Sequence, residues 1–171
     1  MGVAGCGKST VAAAAAERLD ARFVDADAVH SPANVAKMSA GIALTDDDRW
    51  PWLIALRTEL QAGNVVVACS ALRRSYRDVL RVAGNVVFVF LDITVDEARR
   101  RVGARTGHFM GAAMIDSQFA TLERPSDDET DIAVVAADGP IESVIETAIA
   151  KLSSSSMPVR LMADDPKEEQ R

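Results

Sequence analysis

Gly2-Val3-Ala4-Gly5-Cys6-Gly7-Lys8-Ser9-Thr10 satisfies the pattern G-x-x-x-x-G-K-[ST], the loop whose backbone N–H groups wrap the phosphates of a nucleotide. Glycines at 2, 5 and 7 let the backbone turn its amides inward, where a Cβ would block either the turn or the approach of the anion. Lys8 adds a point charge for the β- and γ-phosphates, and Ser9 offers a hydroxyl to Mg²⁺. The alanine-rich run Thr10 to Leu19 predicts a helix whose N-terminus points its partial positive charge at the anion. A buried strand should lead into such a loop, and only Met1 precedes it here.

Working outward, 171 residues are enough for one domain of ordinary size with a sizeable core. A net charge of −6 argues against nucleic acid or an anionic membrane as the main partner, so any anion site must be locally basic. Cys6 and Cys69 are too few for a disulfide framework. No apolar run approaches the roughly 20 residues of a membrane span, and a glycine loop stands where a signal peptide would begin, so a cytoplasmic location is expected.

The run Arg22-Phe23-Val24-Asp25 reads as a parallel strand whose C-terminal end opens on a site. Asp25 and Asp27, at its mouth, could hold Mg²⁺ and accept a proton from a substrate hydroxyl, or could be solvated turn residues. Residues 31 to 48 read as a substrate-covering region with a short helix around Asn34 to Met38. Asp46, Asp47 and Asp48 read chiefly as helix-start chemistry before a helix over about 49 to 62, and Arg49 is harder to dismiss.

Val65 to Cys69 and Val86 to Leu91 are continuous apolar runs suited to strands buried on both faces. Arginines 73, 74, 77 and 81 cannot all face one way on a helix; some form a solvated face, and Arg73, nearest the strand end, is the candidate for an anionic group. A charged helix follows, and Arg101 and Arg105 ahead of Gly107 suit a mobile lid over about 101 to 115, although a charged helix face with a glycine cap fits the same residues. His108 is open between catalysis and packing. Residues 112 to 122 read as helix, Ile132 to Val135 as the last strand, Ile141 to Leu152 as the terminal helix, and 153 to 171 as a disordered tail. Strands alternating with helices give an α/β fold with a parallel sheet flanked by helices, and the phosphate loop makes it a nucleotide-dependent phosphotransferase candidate.

The acceptor comes from resemblance. GVAGCGKST, FVDADAVHSPANVAKMSAGIALTDDDRWPWL, VVACSALRRSYRDVLR, RTGHFM and SQFATLERPSDDETD, in this order, resemble the small P-loop gluconokinases from Gly2 to about Ile149. The resemblance implies an adenylate- or shikimate-kinase-like P-loop NTPase fold that uses ATP and Mg²⁺ to phosphorylate the 6-hydroxyl of D-gluconate. Members are often homodimers, which sets the expectation for self-association.

Carried over, the resemblance puts the ATP phosphates on Ala4, Gly5, Cys6, Gly7, Lys8, Ser9 and Thr10, the metal on Ser9 and Asp25, and the sugar hydroxyl on Asp27. It lines the gluconate site with Asp27, His30, Lys37, Arg49 and Arg73, and puts Arg101 toward the nucleotide and Arg105 on the lid, with Lys8, Asp27 and Arg105 as the catalytic group. Cys6 departs from the family, which commonly has a small hydroxyl residue there.

The alternatives are a sister kinase acting on shikimate or a nucleoside monophosphate, and a nucleotide-binding protein without catalysis. The short start sets a further expectation: the resemblance implies a strand between the runs 65 to 69 and 86 to 91, so the native chain would begin upstream by about five to ten residues. If their strands are neighbours, as the family's sheet order implies, Cys6 and Cys69 would lie close enough for oxidation to join them and close the ATP site.

Overall fold

Each strand forms where a β-branched or aromatic run finds a parallel partner. In the computed structural model, which describes residues 1–104 and 111–154, the strands are β1 (Arg22–Asp25), β2 (Val65–Ala68), β3 (Phe88–Asp92) and β4 (Ile132–Ala136). β1 and β2 pair in parallel, with Arg22 opposite Val65 and Asp25 opposite Ala68. β3 and β4 do the same, with Phe88 opposite Ile132 and Asp92 opposite Ala136. Between the pairs runs the start of the chain. Leu91 N donates to Met1 O (2.9 Å), the Met1 nitrogen donates to Val89 O (2.5 Å), and Gly2 N donates to Ser70 O (3.1 Å). Met1 and Gly2 thus hold the position assigned to the strand ahead of the phosphate loop.

The helices are α1 (Lys8–Arg18), α2 (Pro32–Ser39), α3 (Asp46–Gln61), α4 (Arg74–Arg81), α5 (Val95–Gly103), α6 (Gly111–Thr121) and α7 (Ile141–Ser154). α1 packs on β1, β2 and α7, while α3 packs on β2 and α4. One apolar cluster, including Val3, Cys6, Val11, Leu91, Val102, Ile115 and Val144, joins the phosphate loop to α5, α6 and α7. A second, including Ala26, Trp52, Leu53, Leu56, Cys69, Tyr76 and Phe88, lies under the ends of β1 and β2. Burial of such side chains contributes about 1.5 to 3 kcal/mol each, and here it fixes the strand ends that carry polar residues.

Boundaries differ from the sequence reading where hydrogen bonding overrides pattern. α3 begins three residues early because Thr45 and Asp48 form a reciprocal capping box, Asp48 N donating to Thr45 Oγ1 (3.3 Å) and Thr45 N to Asp48 Oδ2 (2.9 Å). β3 starts at Phe88, not Val86, since the Val86 amide turns back to Gly84 O (2.8 Å) and the ladder needs Ile132 opposite. A 3-10 turn over Ala26–Val29 follows β1 where no element was expected, nucleated by Asp25 accepting from Asp27 N (3.1 Å). α7 reaches Ser154, two residues beyond the expected end; residues 155 to 171, assigned to the tail, lie outside the described residues.

The four arginines around α4 divide as expected between a solvated side and other roles, with Arg74 exposed and two others turned inward. Arg77 is buried, with Nε and Nη2 donating to Glu129 at 2.8 and 2.6 Å. Arg81 reaches Glu129 (2.7 Å) and Asp131 (2.7 Å). The carboxylates come from the segment before β4, more than 45 residues away in sequence, so helix periodicity around the arginines could not reveal them.

Candidate active site

α1 begins at the phosphate loop with no side-chain cap: Gly7, at its N-cap, has φ +94°. The first-turn amides of a helix have no intrahelical acceptor, so this end offers uncapped donors to an anion. Gly5 is fixed for a second reason. It has φ +82°, and a Cβ there would stand 3.0 Å from both Ala98 O and the Val102 side chain. Lys8 Nζ donates to Val3 O (2.9 Å), keeping the ammonium against the loop. Ser9 and Thr10 are the next two residues of α1, while Cys6 is fully buried and packs in the core.

The two predicted oxygen ligands meet: Ser9 Oγ donates to Asp25 Oδ2 at 3.0 Å. This contact joins the start of α1 to the end of β1. Both are hard oxygen donors of the kind Mg²⁺ takes, and no group of three or more His, Cys, Asp or Glu that could hold a metal occurs among the described residues. A cation at this pair would draw its remaining ligands from phosphate and water, as Mg²⁺ ordinarily does. Asp27, on the 3-10 turn beside it, is exposed. The turn is pinned from below by Trp52, whose Nε1 donates to Ala26 O (2.8 Å).

His30 stacks on Trp52 with ring centroids 4.3 Å apart and planes within 9°. Burial lowers its pKa, opposed by Asp27 and assisted by Arg49, so the imidazole is neutral at pH ~7. Lys37 is engaged elsewhere than expected, its Nζ donating to both oxygens of Asp48 at 2.6 and 2.8 Å. That ammonium, with the Thr45 cap, holds the Asp48 carboxyl at about 2. Asn34, buried on α2, donates to Asp48 O (2.8 Å), so α2 and the start of α3 form one tied unit.

Arg49 and Arg73 converge. Arg73 Nη1 donates to Asp46 Oδ2 (2.7 Å), and Arg49 Nη1 donates to Asp46 Oδ1 (3.2 Å). Tyr76 donates its hydroxyl to Asp46 Oδ1 at 2.6 Å. Asp48 is the helix-start residue that the sequence suggested; Asp46 instead binds these two arginines. Arg73 is positioned by the turn after β2, where Ala71 has φ +44°, a left-handed conformation that costs a non-glycine residue about 1 kcal/mol or more. Arg77 Nη1 lies 3.3 Å from Ala71 O, 3.4 Å from Leu72 O and 3.1 Å from Glu123 O, so the buried arginine props the strained turn.

On α5, Arg101 donates to Glu97 Oε1 (2.7 Å) and Gly139 O (3.2 Å). Arg100 and Arg101 together hold the Glu97 carboxyl at about 2. Arg105 and His108 lie outside the described residues. One contact was missed from sequence: Gln118 on α6 accepts from Ala4 N through Oε1 (2.6 Å), joining α6 to the phosphate loop. The thiols give no support to closure by oxidation, for both are buried and burial pushes Cys69 up to about 11, which leaves little thiolate.

A phosphate loop opening α1 beside parallel strands flanked by helices defines the P-loop kinase fold. The family model for shikimate kinase matches residues 4–153. Within that class the chain belongs to the gluconokinase family. It is 44% identical over 155 residues to the thermoresistant gluconokinase of Escherichia coli, covering 87% of this chain and 89% of that protein. It is 50% identical over 142 residues to the gluconokinase of Gluconobacter oxydans, covering 78% and 79%. The crystal structure of a gluconokinase from Sinorhizobium meliloti superposes with a TM-score of 0.84 at 45% identity, covering 90% of this chain and 89% of that one. Among the described residues, no helix is long and apolar enough to cross a membrane.

Proposed function

We propose that this chain transfers the γ-phosphoryl group of ATP to the 6-hydroxyl of D-gluconate, in the compartment that supplies ATP, the cytoplasm. The observation that carries the acceptor is the convergence of Arg49 and Arg73 on a single carboxylate, an arrangement suited to a sugar acid. Family membership and the names of the relatives point to the same acceptor.

In this reading the loop amides of residues 4 to 10 and Lys8 hold the phosphates. Asp27 orients the acceptor hydroxyl and takes its proton as the hydroxyl oxygen bonds to the γ-phosphorus; the bond from that phosphorus to the bridging oxygen breaks, and ADP leaves. The transition state is loose, so positioning and charge neutralisation by Lys8 and by Arg101 and Arg105 from the lid side outweigh the base. Mg²⁺ held by Ser9 and Asp25 would neutralise phosphate charge. His30 lines the sugar site as a neutral donor or acceptor. Lys37 acts through Asp48 or moves onto the substrate. We also propose residues 1 to 152 as the catalytic domain and a homodimer as the working form, which light scattering on the purified chain checks.

Shikimate is the second acceptor to weigh, because the matching family model describes that kinase and shikimate also joins a carboxylate to a hydroxyl. A coupled ADP-release assay across D-gluconate, shikimate and a nucleoside monophosphate separates them. Turnover with D-gluconate alone is expected; preference for another acceptor, or none, overturns the assignment.

A further inference from the structure

The two arginines assigned to the substrate carboxylate already share a carboxylate of the chain's own. Asp46 takes one nitrogen from each, Nη1 of Arg49 at 3.2 Å and Nη1 of Arg73 at 2.7 Å. A guanidinium has five N–H donors in a fork, so each arginine keeps most of its donors for another anion. Tyr76 organises the group from below. Its ring is buried, packs edge-on against Trp50, and lies 5.7 and 5.8 Å from the guanidinium carbons of Arg49 and Arg73. The Asp46 carboxyl is held below the ordinary carboxylate range, first by the Tyr76 hydroxyl and then by Arg73 and Arg49, so it is ionised at neutral pH. Two guanidinium groups and one carboxylate leave the cluster with a single net positive charge.

We propose that Asp46 determines specificity by charge: it tunes the anion site to one net positive charge, which suits a monocarboxylate sugar acid and disfavours dianions such as phosphate esters. This rests on the functional reading above, and Asp46 acts through Arg49 and Arg73 without touching the reacting atoms. Removing its charge would strengthen the site for every anion, but unequally. If a monoanion gains a factor, a dianion at the same place gains roughly the square of it, since Coulomb energy scales with ligand charge. For partly exposed groups a few ångströms apart that factor is about five.

The test is Asp46→Asn, which keeps the shape and an acceptor oxygen. Gluconate-dependent ADP release gives the KM for gluconate, and sulfate, a dianion with no hydroxyl to phosphorylate, gives an inhibition constant in competition with gluconate. The ratio of that constant to the KM should fall about fivefold in Asp46→Asn, while sulfate competition against ATP stays as in the wild type. A purely structural role would weaken both anions alike and leave the ratio unmoved, and that result overturns the proposal. Arg49→Gln carries the opposite expectation and serves if Asp46→Asn does not fold: the ratio should rise, and an unchanged ratio counts equally against the idea. Wild-type protein that releases no ADP with gluconate overturns the functional reading and this inference with it; wild-type turnover with unmoved ratios overturns this inference alone.

Discussion

Arg77 and Glu129, 52 residues apart in sequence and each with a side chain only 1% exposed, form a two-bond ion pair at 2.6 and 2.8 Å. The guanidinium also reaches the carbonyls of Ala71, Leu72 and Glu123. One buried side chain therefore joins the turn that presents Arg73 to the segment that leads into β4.

Truncating Arg77 to Ala strands a buried carboxylate, which typically costs about 3 to 5 kcal/mol. Replacing both partners by Met and Leu is often harmless for a simple buried pair. Here it should still destabilise by more than about 1 kcal/mol, because buried carbonyls lose their donor. Urea unfolding of Arg77→Ala and of the Arg77→Met, Glu129→Leu double variant measures this; a double variant as stable as wild type contradicts it.

The same pair sets an acid limit. Arg77, with help from Arg81, holds the Glu129 carboxyl at about 2, below its unfolded value. A depressed folded pKa contributes stability that is fully present above the unfolded pKa and is lost as the pH falls through the folded one. Unfolding free energies of wild type and Glu129→Gln should therefore converge as the pH is lowered from ~5 toward ~2. Parallel curves would assign the effect to other groups.

Lys8→Ala should lower turnover by about 10² or more, since it removes charge stabilisation concentrated in the transition state. Among the described residues the Lys8 ammonium bonds to Val3 O within the loop, so melting should change little. Near-wild-type turnover would remove Lys8 from the phosphate site.

Asp27→Asn and Arg73→Ala should separate by kinetic signature. The first lowers kcat with little change in ATP affinity, because the lost group serves the acceptor hydroxyl; the second raises the KM for gluconate. Exchanged signatures would reverse the assigned roles.

What the sequence revealed follows from the range of the interactions involved. β1 was legible to the residue, the phosphate loop and α1 followed from local pattern, and the pairing of Ser9 with Asp25 as metal ligands came from the family resemblance. The capping box of α3 was half read: acidic residues announced the helix start, but three aspartates in a row hide which one caps and which one binds arginine. Arg77 with Glu129, Asp46 with Arg73, and Gln118 with Ala4 are long-range pairings, and no periodicity along the chain marks them. The 3-10 turn at Asp27 was invisible because its nucleating bond comes from a side chain two residues back. Arg105, placed on the lid from resemblance, falls outside the described residues.

The central claim is that a carboxylate-bearing sugar acid receives the phosphoryl group on its terminal hydroxyl. Phosphorus NMR of a reaction containing the purified chain, ATP, Mg²⁺ and D-gluconate tests it most directly, because it identifies the bond formed as well as the ADP released. The account predicts one new phosphomonoester, coupled to the C6 protons and growing in step with ADP, which is absent when Asp27→Asn replaces the wild type over the same interval. ADP and inorganic phosphate without that ester, or an ester on another oxygen, would contradict it.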